Sequence, residues 1–151
     1  VCAAEDVGNA DPTATILAAS ALQVAEFVGM PEAQLPLAQA AIYIACAPKS
    51  NASSSAIWKA MNDVRKGKTI PVPEHLKDSH YAGAKKMGYG QDYKYPHRFP
   101  GGWVEQDYLG QQLEEPYYVS SARGREKILK EYLQKLRNQI QQNKQNADNS
   151  Q

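Results

Sequence analysis

The sequence is poor in the side chains that chemistry uses most often. Among its 151 residues are two cysteines, Cys2 and Cys46, and three histidines, His75, His80 and His97. The cysteines lie far apart without metal-ligand spacing, which argues against a thiolate metal site or a disulfide framework. Cys46 falls in the apolar run AAIYIACA, where a buried, reduced thiol is expected, and reduced thiols point to a cytoplasmic setting. The histidines occupy separate segments without H-x-x-x-H spacing, so isolated surface or network histidines are expected rather than a metal centre. No apolar run approaches the ~20 residues of a membrane-spanning helix, and VCAAEDVG lacks the basic and apolar stretches of a signal peptide. Because the first residue is Val1, the chain is expected to be a piece of a longer one. Its 42% hydrophobic and 22% charged content suits one soluble globular domain.

Cations are nearly absent from one end. Residues 1–57 hold Glu5, Asp6, Asp11, Glu26 and Glu32 against Lys49 alone, a net charge of −4, whereas residues 58–151 sum to +5. That excess is spread out, and solvated surface explains it better than a phosphate-binding face.

Helical periodicity is plain at both ends of the chain. Asp11-Pro12 pairs a capping residue with proline at a helix start, and Ile16, Leu17, Ala21, Val24 and Val28 follow at helical spacing until Gly29. A second helix is expected from about Pro36 to Ala47, apolar almost all round and therefore buried on most sides, with Pro48 ending it. A third begins at Ser50 or Asn51, carries Ile57, Met61 and Val64 on one stripe with Trp58 beside them, and ends at Gly67. Pro71 and Pro73 then impose an extended segment, and KDSHYAGAKKMGYG is expected to make one short helix capped by Asp78 or Ser79 and closed by Gly88. The last helix carries Ile128, Leu129, Tyr132, Leu133, Leu136 and Ile140 on one stripe. The ordered domain is expected to span residues 1–142, with 143–151 a disordered polar tail.

Between these ends aliphatic side chains give way to rings. YGQDYKYPHRFPGGW, residues 89–103, has five aromatic residues and no Leu, Ile or Val. Residues 81–118 hold nine of the thirteen aromatics of the chain. Long irregular segments inside a domain pack by their own side chains or carry function, so most of these rings are expected to be buried, with one or two left free.

No catalytic constellation is complete. Gly67-Lys68-Thr69 resembles the end of a phosphate-binding loop, but Asn62 stands where the pattern needs glycine, a helix precedes it and Pro71 follows. A left-handed glycine cap is expected there instead. The serines at 50–55 lack the turn that activates a nucleophile, and Glu5, Asp6 and Asp11 read as turn and cap residues.

Several unusual strings occur in series: CAAEDVGNADP, ALQVAEFVGMPEAQLPLAQAAIYIACAPKSNAS, DVRKGKTIPVPEHLKD, MGYGQDYKYPHRFPGGWVEQDYL and YYVSSARGRE. Over about residues 1–127 they resemble the C-terminal region of the replication-associated recombination protein A family, also called MgsA. These are AAA+ ATPases akin to clamp loaders and to the Werner-helicase-interacting ATPase. The resemblance implies an all-α domain beyond the ATPase core and lid, compact, carrying a long aromatic-rich irregular segment, through which the family forms homotetramers. It implies that ATP and magnesium bind in a part of the parent absent here, with no catalytic, cofactor or metal residue in this chain. It also implies DNA-stimulated ATP hydrolysis in replication-fork maintenance, recombination and repair, a cytoplasmic, nucleoid-associated location, and single-strand-binding protein as a partner, with no membrane.

Two roles follow for the chain itself. One is oligomerisation through the nearly all-round apolar helices. The other is a nucleic-acid contact in segment 85–103, where Tyr93, Tyr95, Phe99 or Trp103 would stack bases and Lys85, Lys86, Lys94 and Arg98 would neutralise phosphates. The same eight residues are candidates for a subunit contact.

Overall fold

A computed structural model describes residues 1–111 and 113–148. The fold is all-α: among the described residues the regular elements are helices and short helical turns, with no strand. The four α-helices are α1 (Thr13–Val28), α2 (Gln34–Cys46), α3 (Ala52–Arg65) and α4 (Glu126–Asp148). None is long and apolar enough to cross a membrane. The described fold comprises two compact units, one formed by Val1–Asn62 with the chain from Pro116 onward, the other by Asp63–Glu115.

Local chemistry sets the helix ends of the first unit. Asp11 is extended (φ −150°, ψ 91°) and its Oδ1 accepts the Thr13 N–H at 3.1 Å, while Pro12 already has helical angles. Gly29, at φ 71°, ends α1 with its N–H on the Ala25 carbonyl. Pro36 falls in the first turn of α2, where a missing N–H costs little. At the other end of α2, Lys49 Nζ donates to the carbonyls of Ile44, Ala45 and Ala47 at 2.6, 3.1 and 2.7 Å, so all three ammonium protons meet the negative end of the helix. Ser50 Oγ accepts the Ala52 N–H at the start of α3. Gly67, at φ 77°, closes that helix, with its own N–H on Val64 and the Lys68 N–H on Asp63.

Helices α1 and α2 pack on each other through small residues. A core of Ala3, Val7 and Ala14 is flanked by Ala18, Tyr43, Ile44 and Ala47. Every fully buried apolar side chain of the described residues is an alanine except Val7. This corrects the expectation that α2 is buried on most sides: of its residues only Ala40 is fully buried, and Leu35, Leu37 and Ile42 are exposed, not covered by other described residues. Cys46 is likewise exposed, not buried.

Helix α4 is fixed at its first turn. The Arg125 N–H donates to the Ala10 carbonyl at 2.8 Å, and Gly124 (φ 50°) lies so close that a Cβ there would sit 2.2 Å from the same oxygen. The helix continues to Asp148, past Gln142, where the polar composition suggested that order ends; Gln, Lys and Ala are good helix formers and propagate a helix once it is nucleated. Residues 149–151 of that expected tail lie outside the described residues.

The second unit is built from turns. The helix expected across residues 78–88 is only a 3-10 turn, Ala84–Met87. Upstream of it, the Asp78 carboxylate instead takes the N–H and ring nitrogen of His80 at 3.0 and 2.7 Å, and Gly83 adopts φ 101°, which breaks a helix. Tyr81 meets the edge of Tyr89, and the Lys77 ammonium lies 4.7 Å from the Tyr89 ring centre while bonded to Glu74. His75 Nε2 lies 2.7 Å from the Asp107 carbonyl, and the Asp107 carboxylate turns the chain by accepting the N–H groups of Gly110 and Leu109, which hold its pKa low.

Candidate functional site

The first unit exposes what a core would normally hold. Helix α1 and the connection after it present Ile16, Leu22, Phe27 and Met30, and α2 presents Leu35 and Ile42. Around the α1–α2 connection the exposure is extreme: Phe27 is 91% exposed, Met30 70% and Leu35 75%. Glu26 and Glu32 stand beside them in solvent. Burying such a side chain contributes about 1.5–3 kcal/mol, so six of them facing water forgo stabilisation comparable to that of a whole domain.

A polar node on the same unit holds α4 in place. Glu126 is fully buried, and its Oε1 accepts the Ser50 hydroxyl at 2.9 Å. Its Oε2 accepts the Ser121 N–H at 2.8 Å and the Ser121 hydroxyl at 2.6 Å, while Ser120 Oγ donates to the Glu126 carbonyl. Burial raises the pKa of this carboxyl, but the Ser121 and Ser50 donors outweigh it and hold the group below the usual carboxylate range. Across the unit, the Tyr43 hydroxyl donates to Asp11 Oδ2 at 2.6 Å; this bond lowers the Asp11 pKa, as do the bonds from Thr13, and raises that of Tyr43 although Thr13 pulls the Tyr43 value the other way. The node was not legible from sequence. Glu126 sits among arginines and lysines as a surface glutamate would, and the serine that helps to bury it lies 76 residues earlier.

The residues proposed for stacking and phosphate contact lie in the second unit. Tyr93, Lys94, Tyr95, Arg98 and Phe99 are exposed and follow one another in a single stretch, whereas Trp103 is half-buried. Tyr95 is extended, its ring 5.2 Å from that of His97, and the 3-10 turn Pro96–Arg98 follows. Lys94 is anchored by its N–H on Gln106 Oε1 at 2.7 Å. Lys86 is exposed in the separate turn Ala84–Met87; Lys85 belongs to the same turn, and its side chain lies outside the described residues. The expectation that most rings of residues 81–118 are buried is corrected: Tyr81, Tyr93, Tyr95, Phe99 and Tyr108 are exposed, and Tyr89, Trp103, Tyr117 and Tyr118 are half-buried. With few aliphatic side chains to fill between them, these flat rings do not close a core. Gly67-Lys68-Thr69 lies at the C-terminal end of α3, where carbonyls rather than N–H groups are unpaired, opposite to what a phosphate needs.

Residues 1–137 match the family described as MgsA AAA+ ATPase C terminal. The Bacillus subtilis protein named replication-associated recombination protein A is 49% identical over 138 residues, 90% of this chain and 33% of that protein. The proteins of the same name from Coxiella burnetii and Escherichia coli K12 are each 39% identical, over 97% and 92% of this chain and 34% and 32% of their own lengths. The chain therefore spans about a third of the curated relatives it matches.

Proposed function

The chain belongs to the family of MgsA AAA+ ATPase C-terminal domains, and from that premise we propose that it is the self-association module of a DNA-dependent ATPase, assembling as a homotetramer. The supporting observation is the unburied apolar surface of α1 and α2. A helix pair that buries only alanines and leaves Phe27, Met30, Leu35 and Ile42 in water is half of an interface, since obligate interfaces resemble a domain core cut in two. ATP and magnesium belong to the part of the parent outside this sequence, and the parent would act on DNA at stalled forks, in the cytoplasm and on the nucleoid, with single-strand-binding protein as a partner. Light scattering at tens of micromolar should give four times the 16.7 kDa of one chain, or twice it for a dimer on the way to a tetramer. A monomer at high micromolar concentration would refute the reading.

A second reading is a single-stranded nucleic-acid contact, favoured by the exposure of Tyr93, Tyr95 and Phe99 beside Lys94 and Arg98. Replacing both cations, Lys94→Ala with Arg98→Ala, should weaken binding to an oligonucleotide and reduce the slope of its salt dependence by about 1.4, or ~0.7 per lost phosphate contact. An unchanged slope would remove this reading.

A further inference from the structure

Helix α4 carries a second apolar face. Leu129, Leu133, Leu136 and Ile140 are spaced four, three and four residues apart, the repeat that keeps side chains on one seam against a partner helix. The described bonds that tie the helix to its unit are at its first turn, through Ala10 and Ser50; Leu129 and the neighbouring Ile128 and Tyr132 stand exposed, and Leu133, Leu136 and Ile140 are half-buried, so part of the seam stays open to water. A solvated helix of this length with such a stripe gains most of its stability from packing the stripe. One flank of the seam is basic: Lys130 and Arg137, both exposed, are seven residues apart and project on the same side.

The α1–α2 connection is the opposite in sign. Phe27, Val28, Met30 and Leu35 are exposed there beside Glu26 and Glu32, at the negative end of α1. The lone cation of residues 1–57, Lys49, is at the far end of the helix pair, occupied by the α2 carbonyls. Ala10 and Ser50, which hold α4, are also at that far end, next to the first residue of α1 and the last of α2. The connection lies the length of α1 away, about 24 Å.

Building on the self-association reading, we propose that the α4 seam of one copy receives the α1–α2 connection of a second copy. Phe27, Met30 and Leu35 would lie on Leu129, Leu133 and Leu136, with Glu26 and Glu32 facing Lys130 and Arg137. Two different surfaces of the chain meet, so the contact is head-to-tail, and repetition closes a ring when the rotation from copy to copy divides a full turn and extends as a filament when it does not. Two α4 helices packed antiparallel would instead bring the Lys130 and Arg137 flanks of both copies together, which is unfavourable.

Complementation tests the pairing. Phe27→Asp removes the connection and Leu136→Asp removes the seam; neither replaces a fully buried side chain, and circular dichroism at 222 nm checks that the helices persist. Alone, each variant is expected to sediment as a monomer. Mixed one to one, they should form a dimer and nothing larger, because each supplies the one surface the other has lost. A Phe27→Asp chain that keeps wild-type assembly, or a mixture that stays monomeric while wild type assembles, overturns the proposal; the first result would point to α4–α4 pairing. A monomeric wild type overturns the self-association reading itself. Charge reversal gives an independent check that spares the apolar residues. Glu26→Lys with Glu32→Lys should weaken assembly about tenfold, and adding Lys130→Glu with Arg137→Glu in the same chain should restore it. Failure of the second pair to restore assembly counts against the proposal.

Discussion

Replacing Glu126 should be the most costly single change to a charged residue in the first unit. Glu126→Ala leaves three donors without an acceptor: the Ser50 hydroxyl, the Ser121 hydroxyl and the Ser121 N–H. Hydrogen bonds to a charged group contribute about 1.5–3 kcal/mol each, partly offset because a carboxylate no longer has to be buried. The expected net loss is about 3–4 kcal/mol, a large share of the 5–15 kcal/mol typical of a domain. Glu126→Gln keeps an oxygen for Ser121 and turns an amide toward Ser50 Oγ, which can accept, so only about 1–2 kcal/mol should be lost. The two variants also differ from wild type in pH response. The Glu126 carboxyl titrates below its ordinary 4.5 in the folded chain. Its contribution is therefore full above about pH 4.5 and is lost as pH falls through the folded value. Urea unfolding followed at 222 nm should show the gap between wild type and Glu126→Gln narrowing from pH 7 to pH 3. If Glu126→Gln matches wild type at pH 7, or the gap is constant across that range, the node does not hold α4 as described.

Three further changes probe the same unit. Gly124→Ala places a Cβ 2.2 Å from the Ala10 carbonyl at φ 50°, and should cost about 2–4 kcal/mol by displacing the Arg125–Ala10 bond; an unchanged urea midpoint contradicts this. Lys49→Met leaves the Ile44, Ala45 and Ala47 carbonyls to water and should cost about 1 kcal/mol, seen as faster amide exchange in the last turn of α2; equal exchange in the two proteins would show that the ammonium does not cap the helix. Tyr43→Phe removes the donor that does most to lower the Asp11 pKa, so the Asp11 titration should move up toward 3.8 and the stabilisation it supplies above that pH should shrink; an NMR titration that leaves Asp11 in place would exclude this bond as the cause.

The parts of the fold that local chemistry dictates were legible in the sequence. Asp11-Pro12, Gly29, Pro48 and Gly67 punctuate α1 to α3 because a cap, a left-handed turn or a missing N–H acts within a few residues. The far end of α4 was not, since a run rich in Gln, Asn and Lys has the composition of a disordered tail, while its Gln, Lys and Ala favour helix once one is nucleated. Burial was misread for a different reason. Hydrophobicity marks Leu37 and Ile42 as side chains that gain from leaving water, but it does not say whether their partner lies in the same chain. The rings of residues 81–118 carried the same ambiguity, because stacking surface and filling volume are different properties and only aliphatic neighbours supply the second. Tyr93 to Phe99 fall together in space because they are contiguous, whereas Lys85 and Lys86 belong to another turn. Glu126 was invisible because its burial depends on Ser50, across a sequence separation that no periodicity spans.

The first unit is discontinuous, made of residues from both ends of the chain with the second unit between them. Synthesis gives this arrangement a timetable. When Ser50 and Ala10 have left the ribosome, the residues that pair with them, Glu126 and Arg125, have still to be polymerised. Translation at about 5–20 residues per second puts that delay at roughly 4–15 s, long compared with the microseconds in which helices form. During those seconds α1, α2 and α3 exist as nascent helices without the strap that fastens them, their apolar faces open to whatever chain is emerging nearby. In a polysome, the nearest such chain is another copy of the same protein.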